Sequence, residues 1–147
     1  MRAARDVLAE YRAAKDRLRA KQDAIEGLIC ELTRTSARLG EVGLRQGAGR
    51  DRIGRIVADM EDAYAEVVGA GAAAAEGLEC ALRLIERAPT ERQRLLLTLR
   101  YVKGLTWEGA AREAGVSRRH ALRATDDALG VLDAHLAGLD GRYSAEP

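Results

Sequence analysis

Two stretches of this chain place an apolar residue at every seventh position, and the two stretches have nearly the same length. In the first, Tyr11, Leu18, Ile25, Leu32 and Leu39 are evenly spaced, with Leu8, Ala14, Leu28 and Ile29 adding a partial second stripe. In the second, Val57, Tyr64, Gly71, Leu78 and Ile85 repeat the pattern, flanked by Ile53, Met60, Val67, Ala74 and Ala81. A seven-residue repeat keeps to one side of an α-helix, and a helix of this length is too thin to bury such a seam by itself. Each stretch therefore needs a partner helix. Between them Gly40, Gly43, Gly47, Gly49 and Gly54 lie within fifteen residues, a density that predicts a flexible Gly-rich loop near 40–54. Residues 1–88 are thus expected to fold back as a long antiparallel helical hairpin, a coiled-coil arm. Pairing between chains satisfies the same pattern, so a homo-oligomer through the N-terminal helices stays open. The run from Gly69 to Gly77 is the weak point of the second helix, because each glycine costs about 1 kcal/mol against alanine. Its small residues also allow close helix approach.

Composition agrees with an all-α chain. There is no Phe, aromatic residues make up 3% of the sequence, and charged residues make up 32%. Sheets favour β-branched and aromatic residues, whereas Leu, Ile, Val and Ala suffice for thin helix-on-helix packing. No apolar run approaches the length of a membrane span, and the start M-R-A-A-R-D lacks the apolar core of a signal peptide, so a cytoplasmic protein is expected. Cys30 and Cys80 lie far apart in sequence and form no ligand cluster with His120 and His135, which predicts neither a metal site nor a disulfide.

The net charge of +1 conceals a gradient. Residues 1–88 carry 15 basic and 15 acidic side chains, residues 89–123 carry 8 and 3, and residues 124–147 carry 1 and 5. A balanced arm thus precedes a basic segment, the electrostatic footprint of an anion-binding face.

That segment also has the punctuation of a separate domain, expected over 90–137 with a disordered tail over 138–147. Pro89 ends the arm, and Thr90 with Gln93 has the spacing of a capping box. A helix from Glu91 to Lys103 is predicted to bury Leu95, Leu96, Leu99 and Val102 and to stop at Gly104, a natural left-handed cap. Thr106 then caps a short helix over Trp107 to Ala114.

The run Ala111-Arg-Glu-Ala-Gly115-Val116-Ser117 is the informative one. Two helices that cross steeply through a three-residue turn need a small side chain at the crossing, met by Ala111, and a residue at positive φ four positions later, met by Gly115. Val116 plugs the space between the helices and Ser117 caps the second. Ala121, Ala124, Ala128, Leu129, Leu132 and Leu136 then face inward. Arg118, Arg119, His120, Leu122 and Arg123 are left at the outward N-terminal end, which enters the major groove in helix-turn-helix proteins. The DNA-binding candidates are therefore Ser117, Arg118, Arg119, His120, Leu122 and Arg123. Trp107 reads as a core plug, and Tyr11 and Tyr64 as seam residues. Asp126 and Asp127 are adjacent on a helix and point in different directions, so joint acid-base or metal chemistry is not expected.

The stretch T-E-R-Q-R-L-L-L-T-L-R-Y-V-K-G-L-T-W-E-G-A-A-R-E-A-G-V-S-R-R-H-A-L-R-A resembles region 4 of the sigma-70 family, the helix-turn-helix that reads an upstream promoter element and contacts RNA polymerase. With the heptad arm before it, the chain is similar to small phage or prophage regulators of the late-gene activator type. On this resemblance Arg100, Tyr101, Trp107 and Glu108 belong to the framework, and Ser117, Arg118, Arg119 and Arg123 to the recognition helix. Gly109-Ala110 departs from the acidic-isoleucine pair usual there, and Asp126-Asp127 place acid where the family tends to be basic. The resemblance implies a transcription regulator that binds double-stranded DNA, acts with RNA polymerase and needs no cofactor. Neither a Gly-rich phosphate loop nor a catalytic triad is visible, so no enzyme is expected. The rivals are a phage DNA-packaging factor of the small-terminase kind and a helical adaptor that binds only protein.

Overall fold

The computed structural model describes residues 2–42 and 47–144, with side chains placed for 2–40 and 49–139. The described chain is all-α, and no strand occurs among its residues. Its elements are α1 (Ala4–Val42), α2 (Gly47–Ile85), α3 (Glu91–Leu97), a π-helical turn (Thr98–Val102), α4 (Trp107–Ala114) and α5 (Arg118–Ser144). None of the described helices is long and apolar enough to cross a membrane.

The two long helices take in most of the expected loop. Gly40 lies inside α1, and Gly47, Gly49 and Gly54 lie inside α2; Gly43 falls outside the described residues. The glycine density is thus absorbed by helix rather than by a loop over 40–54. No proline interrupts this stretch, and each glycine costs only about 1 kcal/mol in a helix. Cooperative extension from the seams on either side offsets that.

Contacts divide the chain into two compact units: residues 15–73, and residues 1–14 together with 74–147. The division does not fall at the expected boundary of Pro89 but across both long helices.

In the unit of residues 15–73, α1 and α2 lie side by side and antiparallel. Lys21 pairs with Glu66 at 2.7 Å, Glu31 with Arg52 at 3.3 Å, and Leu39 lies over Gly49. As positions rise along α1, their partners fall along α2. Ile25 and Ile56 are buried, together with Thr35. On α1 the predicted line holds, since Ile25 is buried and Leu18, Leu32 and Leu39 are half-buried, but Ile29 is 42% exposed. On α2 the seam is turned by about one residue from the expected one. It follows Ile53, Ile56, Met60, Ala63, Val67 and Ala70, all buried or half-buried. Ile53, Met60 and Val67 belong to the expected flanking stripe, and Ile56, Ala63 and Ala70 join it in steps of three and four. Val57 and Tyr64 are consequently left on the flank, 42% and 49% exposed, so Tyr64 is not a seam residue.

In the unit of residues 1–14 and 74–147, the ends of both long helices share one core with the C-terminal helices. Ala4, Leu8, Tyr11, Ala81, Leu84, Ile85 and Ala88 pack with Leu97, Tyr101, Ala128, Leu129 and Leu132. A Cβ added at Gly77 would meet Cα of Tyr11 at 3.3 Å, so here a missing side chain does let two helices approach closely. Between α3 and α4, the π turn adds a residue to the helical register, with the Lys103 N–H donating to the Thr98 carbonyl at 3.0 Å. The three leucines before this turn take different faces of α3, and one of them departs from the expected burial. Leu96 and Leu97 are both fully buried, one in each of two clusters, while Leu95 is 45% exposed. Leu99 is buried and Val102 half-buried, as expected.

Residues 138–144 of the expected disordered tail are helical. Helix α5 runs through 138–144 and ends at Ser144, carried past Gly138 and Gly141 without a proline to stop it. The remainder of the expected disordered tail, 145–147, lies outside the described residues.

Candidate nucleic-acid interface

The turn between α4 and α5 is built by backbone hydrogen bonds around a left-handed residue, a conformation that favours glycine. Gly115 sits at φ +71° in the left-handed region. Its N–H donates to the Arg112 carbonyl at 3.2 Å, and the Val116 N–H donates to the Ala111 carbonyl at 3.0 Å. These two bonds close α4 as a Schellman motif, whose apolar bridge here is Val116 resting on the cluster of Leu96, Ala111 and Ala121. Ala111 is buried at the crossing. The predicted turn chemistry is present at each of these positions.

Ser117 then starts α5. Its Oγ accepts the His120 N–H at 3.2 Å and its carbonyl accepts the Ala121 N–H at 2.9 Å. Ala121 is fully buried, which orients the first turn of the helix. Ser117, Arg118, Arg119, His120 and Arg123 are all exposed, whereas Leu122 is half-buried. Leu122 therefore departs from the fully outward position expected for it.

No acidic residue occupies the first turn of α5. Among the described residues, Arg118, Arg119 and Arg123 enter no ion pair. Three unneutralised guanidinium groups thus stand beside a helix N-terminus, whose free N–H groups carry partial positive charge. Planar guanidinium forks fit phosphate oxygens and the guanine edge bidentately.

Comparison with known proteins finds no family model, curated protein or solved structure that matches the chain.

The basic face extends beyond α5 to a residue that sequence reading passed over. Arg92, in the first turn of α3, lines a cleft of about 230 Å³ with Thr90, Gln93, His120, Arg123, Ala124 and Asp127. The capping box places it there, because Thr90 Oγ1 accepts the Gln93 N–H at 3.2 Å and Gln93 Oε1 accepts the Thr90 N–H at 3.3 Å. The only signal in the sequence was the position of Arg92 within that box. Its proximity to Arg123 and His120 depends on how α3 packs against α5. Asp127 adds a carboxylate to the same cleft and limits its positive charge. Asp126 is turned elsewhere, 3.5 Å from Arg5.

Arg100, Tyr101, Trp107 and Glu108, which the resemblance assigns to the framework, differ in burial and contacts. Arg100 donates from Nη1 to the Leu105 carbonyl at 2.9 Å and lies over the Trp107 ring at 5.0 Å. Trp107 is half-buried beneath it and Tyr101 is buried, while Glu108 is exposed. Thr106 Oγ1 accepts the Gly109 N–H at 3.1 Å and caps α4. Together these contacts hold the loop through Gly104, itself at φ +74°, and so fix where α4 begins.

Proposed function

We propose that this protein is a sequence-specific transcription regulator that binds double-stranded DNA through the N-terminal end of α5, acts together with RNA polymerase, and is not an enzyme. One observation carries the reading: a closed helix-turn-helix corner at Gly115 presents Arg118, Arg119 and Arg123, exposed and without ion-pair partners, on the first turns of the following helix. Helix-turn-helix proteins place that end of the second helix in the major groove. The resemblance of residues 90–124 to sigma-70 region 4 supports a promoter site, a polymerase partner and a phage or prophage origin. Arg92 and Arg123 are assigned to backbone phosphates, and Arg118 and Arg119 to base edges.

Electrophoretic mobility shift with duplex DNA across a salt series tests this reading. Counterion release makes affinity for DNA fall steeply with salt, so a shift that weakens as salt rises supports it. Absence of any shift at low salt would overturn it.

A further inference from the structure

The even charge of residues 1–88 is an average over two opposed segments. Residues 33–57 carry six arginines against Glu41 and Asp51, while residues 58–82 carry six carboxylates and no basic side chain. Within the unit of residues 15–73, three of those arginines converge. Arg34 and Arg38, one turn apart on α1, and Arg52 on α2 line an open pocket of about 300 Å³ with Gly27, Glu31 and Thr35.

Among the described residues, the charge in this pocket is only partly neutralised. Glu31 is held by Arg52 at 3.3 Å, and among the described residues Arg34 and Arg38 have no carboxylate within ion-pair distance. Like charges at this spacing on a helix repel each other, so the helix tolerates an unfavourable pair there. Thr35 brings a hydroxyl-bearing side chain into the buried seam where the heptad pattern would place an apolar one, and it lines the same pocket. Gly27 contributes no side chain, and a Cβ built on it would meet nothing within 4 Å. The space beside Gly27 is thereby open.

We infer that Arg34, Arg38 and Arg52 form a second anion site, independent of α5, that takes a phosphoryl group. Guanidinium groups arranged around a concave surface suit a tetrahedral oxyanion, since each fork binds two oxygens and the charge is compensated. The pocket has room for a phosphoryl group and part of what bears it. Two sources supply this chemistry, the backbone of duplex DNA and a free phosphoryl compound.

The test follows the arginine side-chain Nε–Hε resonances of the full chain by NMR. Inorganic phosphate is titrated into one sample and chloride of equal ionic strength into another. A third sample, carrying Arg118→Ala, Arg119→Ala and Arg123→Ala to silence α5, receives a random-sequence duplex. Saturable shifts at Arg34, Arg38 and Arg52 with phosphate and not with chloride are the expected result. Their loss at Arg52 in Arg34→Gln/Arg38→Gln protein of unchanged helicity is expected as well. Shifts of the same signals by the duplex identify the DNA backbone as the source, and shifts by phosphate alone identify a small phosphoryl compound. No shift with either, or equal shifts with chloride, would overturn the inference. The silenced variant separates this outcome from any failure of the α5 reading.

Discussion

The backbone N–H of Ala4 donates to Oδ1 of Asp133 at 2.6 Å, joining residues 129 positions apart. The first N–H groups of a helix have no partner within it, and a carboxylate there is favoured by the helix dipole. Asp133 on α5 thus caps α1, next to the fully buried Ala4 and Leu8. Asp133→Ala is expected to lower the unfolding free energy by about 1–2 kcal/mol in urea titrations. Arg5→Ala, which breaks only the exposed pair with Asp126, should cost less than about 0.5 kcal/mol. Equal effects of the two variants would contradict the capping role.

Glycines in and beside α5 should respond with opposite signs. Gly115→Val forces a β-branched residue into the left-handed region and is expected to destabilise by about 1–3 kcal/mol. Gly130→Ala adds a methyl to the exposed side of α5, where a Cβ meets nothing within 4 Å. It should stabilise by about 0.5–1 kcal/mol. Thermal melts of both variants check the pair, and a Gly115→Val protein that melts with the wild type would mean that the turn is misplaced.

Joining of the long helices to the C-terminal helices gives a third expectation. Leu8, Tyr11, Leu84 and Ile85 share their core with Leu97, Tyr101, Ala128, Leu129 and Leu132, so residues 1–88 alone lose these last five residues from it. That fragment should remain largely helical by circular dichroism but melt less cooperatively and at lower temperature than the whole chain. In the whole chain, Leu132→Ala should cost about 2–5 kcal/mol. A fragment that melts as sharply and as high as the full protein would show that the shared core contributes nothing.

These cases also mark what was legible in the sequence. Local chemistry was: the capping box at Thr90 and Gln93, the left-handed caps at Gly104 and Gly115, and the Ser117 cap depend on residues within a few positions of one another. Rotation of α2 was not, because Val57 and Tyr64 keep the same seven-residue spacing as Met60 and Val67, and only the facing helix decides which stripe is covered. The π turn escaped as well, since the weak helix formers Thr98, Tyr101 and Val102 also occur commonly in ordinary α-helices. It is shown by the hydrogen bond from the Lys103 N–H to the Thr98 carbonyl. Similarly, Asp133 as a cap and Arg92 as a neighbour of Arg123 depend on contacts distant in sequence. Of the candidate interface, the α5 arginines were legible from the motif, and the contribution of α3 was not.

Arg100 ties the loop before α4 to Trp107 through one hydrogen bond and one ring contact. Arg100→Lys cannot reproduce a planar group that stacks and donates together, and is expected to cost about 0.5–2 kcal/mol. Loss of the Trp107 fluorescence environment should accompany it. A variant with native stability and an unchanged emission maximum would assign the loop to Thr106 and Gly104 alone.

DNA recognition by the first turns of α5 is tested by fluorescence anisotropy titration of Arg118→Ala, Arg119→Ala and Arg123→Ala against a selected duplex and a random duplex at several salt concentrations. Loss of Arg118 or Arg119 should weaken binding to the selected site by about 1–3 kcal/mol and leave random duplex nearly untouched. Loss of Arg123 should weaken both alike and reduce the salt slope by about one. Unchanged affinity and slope in all three variants would contradict the account and turn this face of α5 toward a protein partner instead.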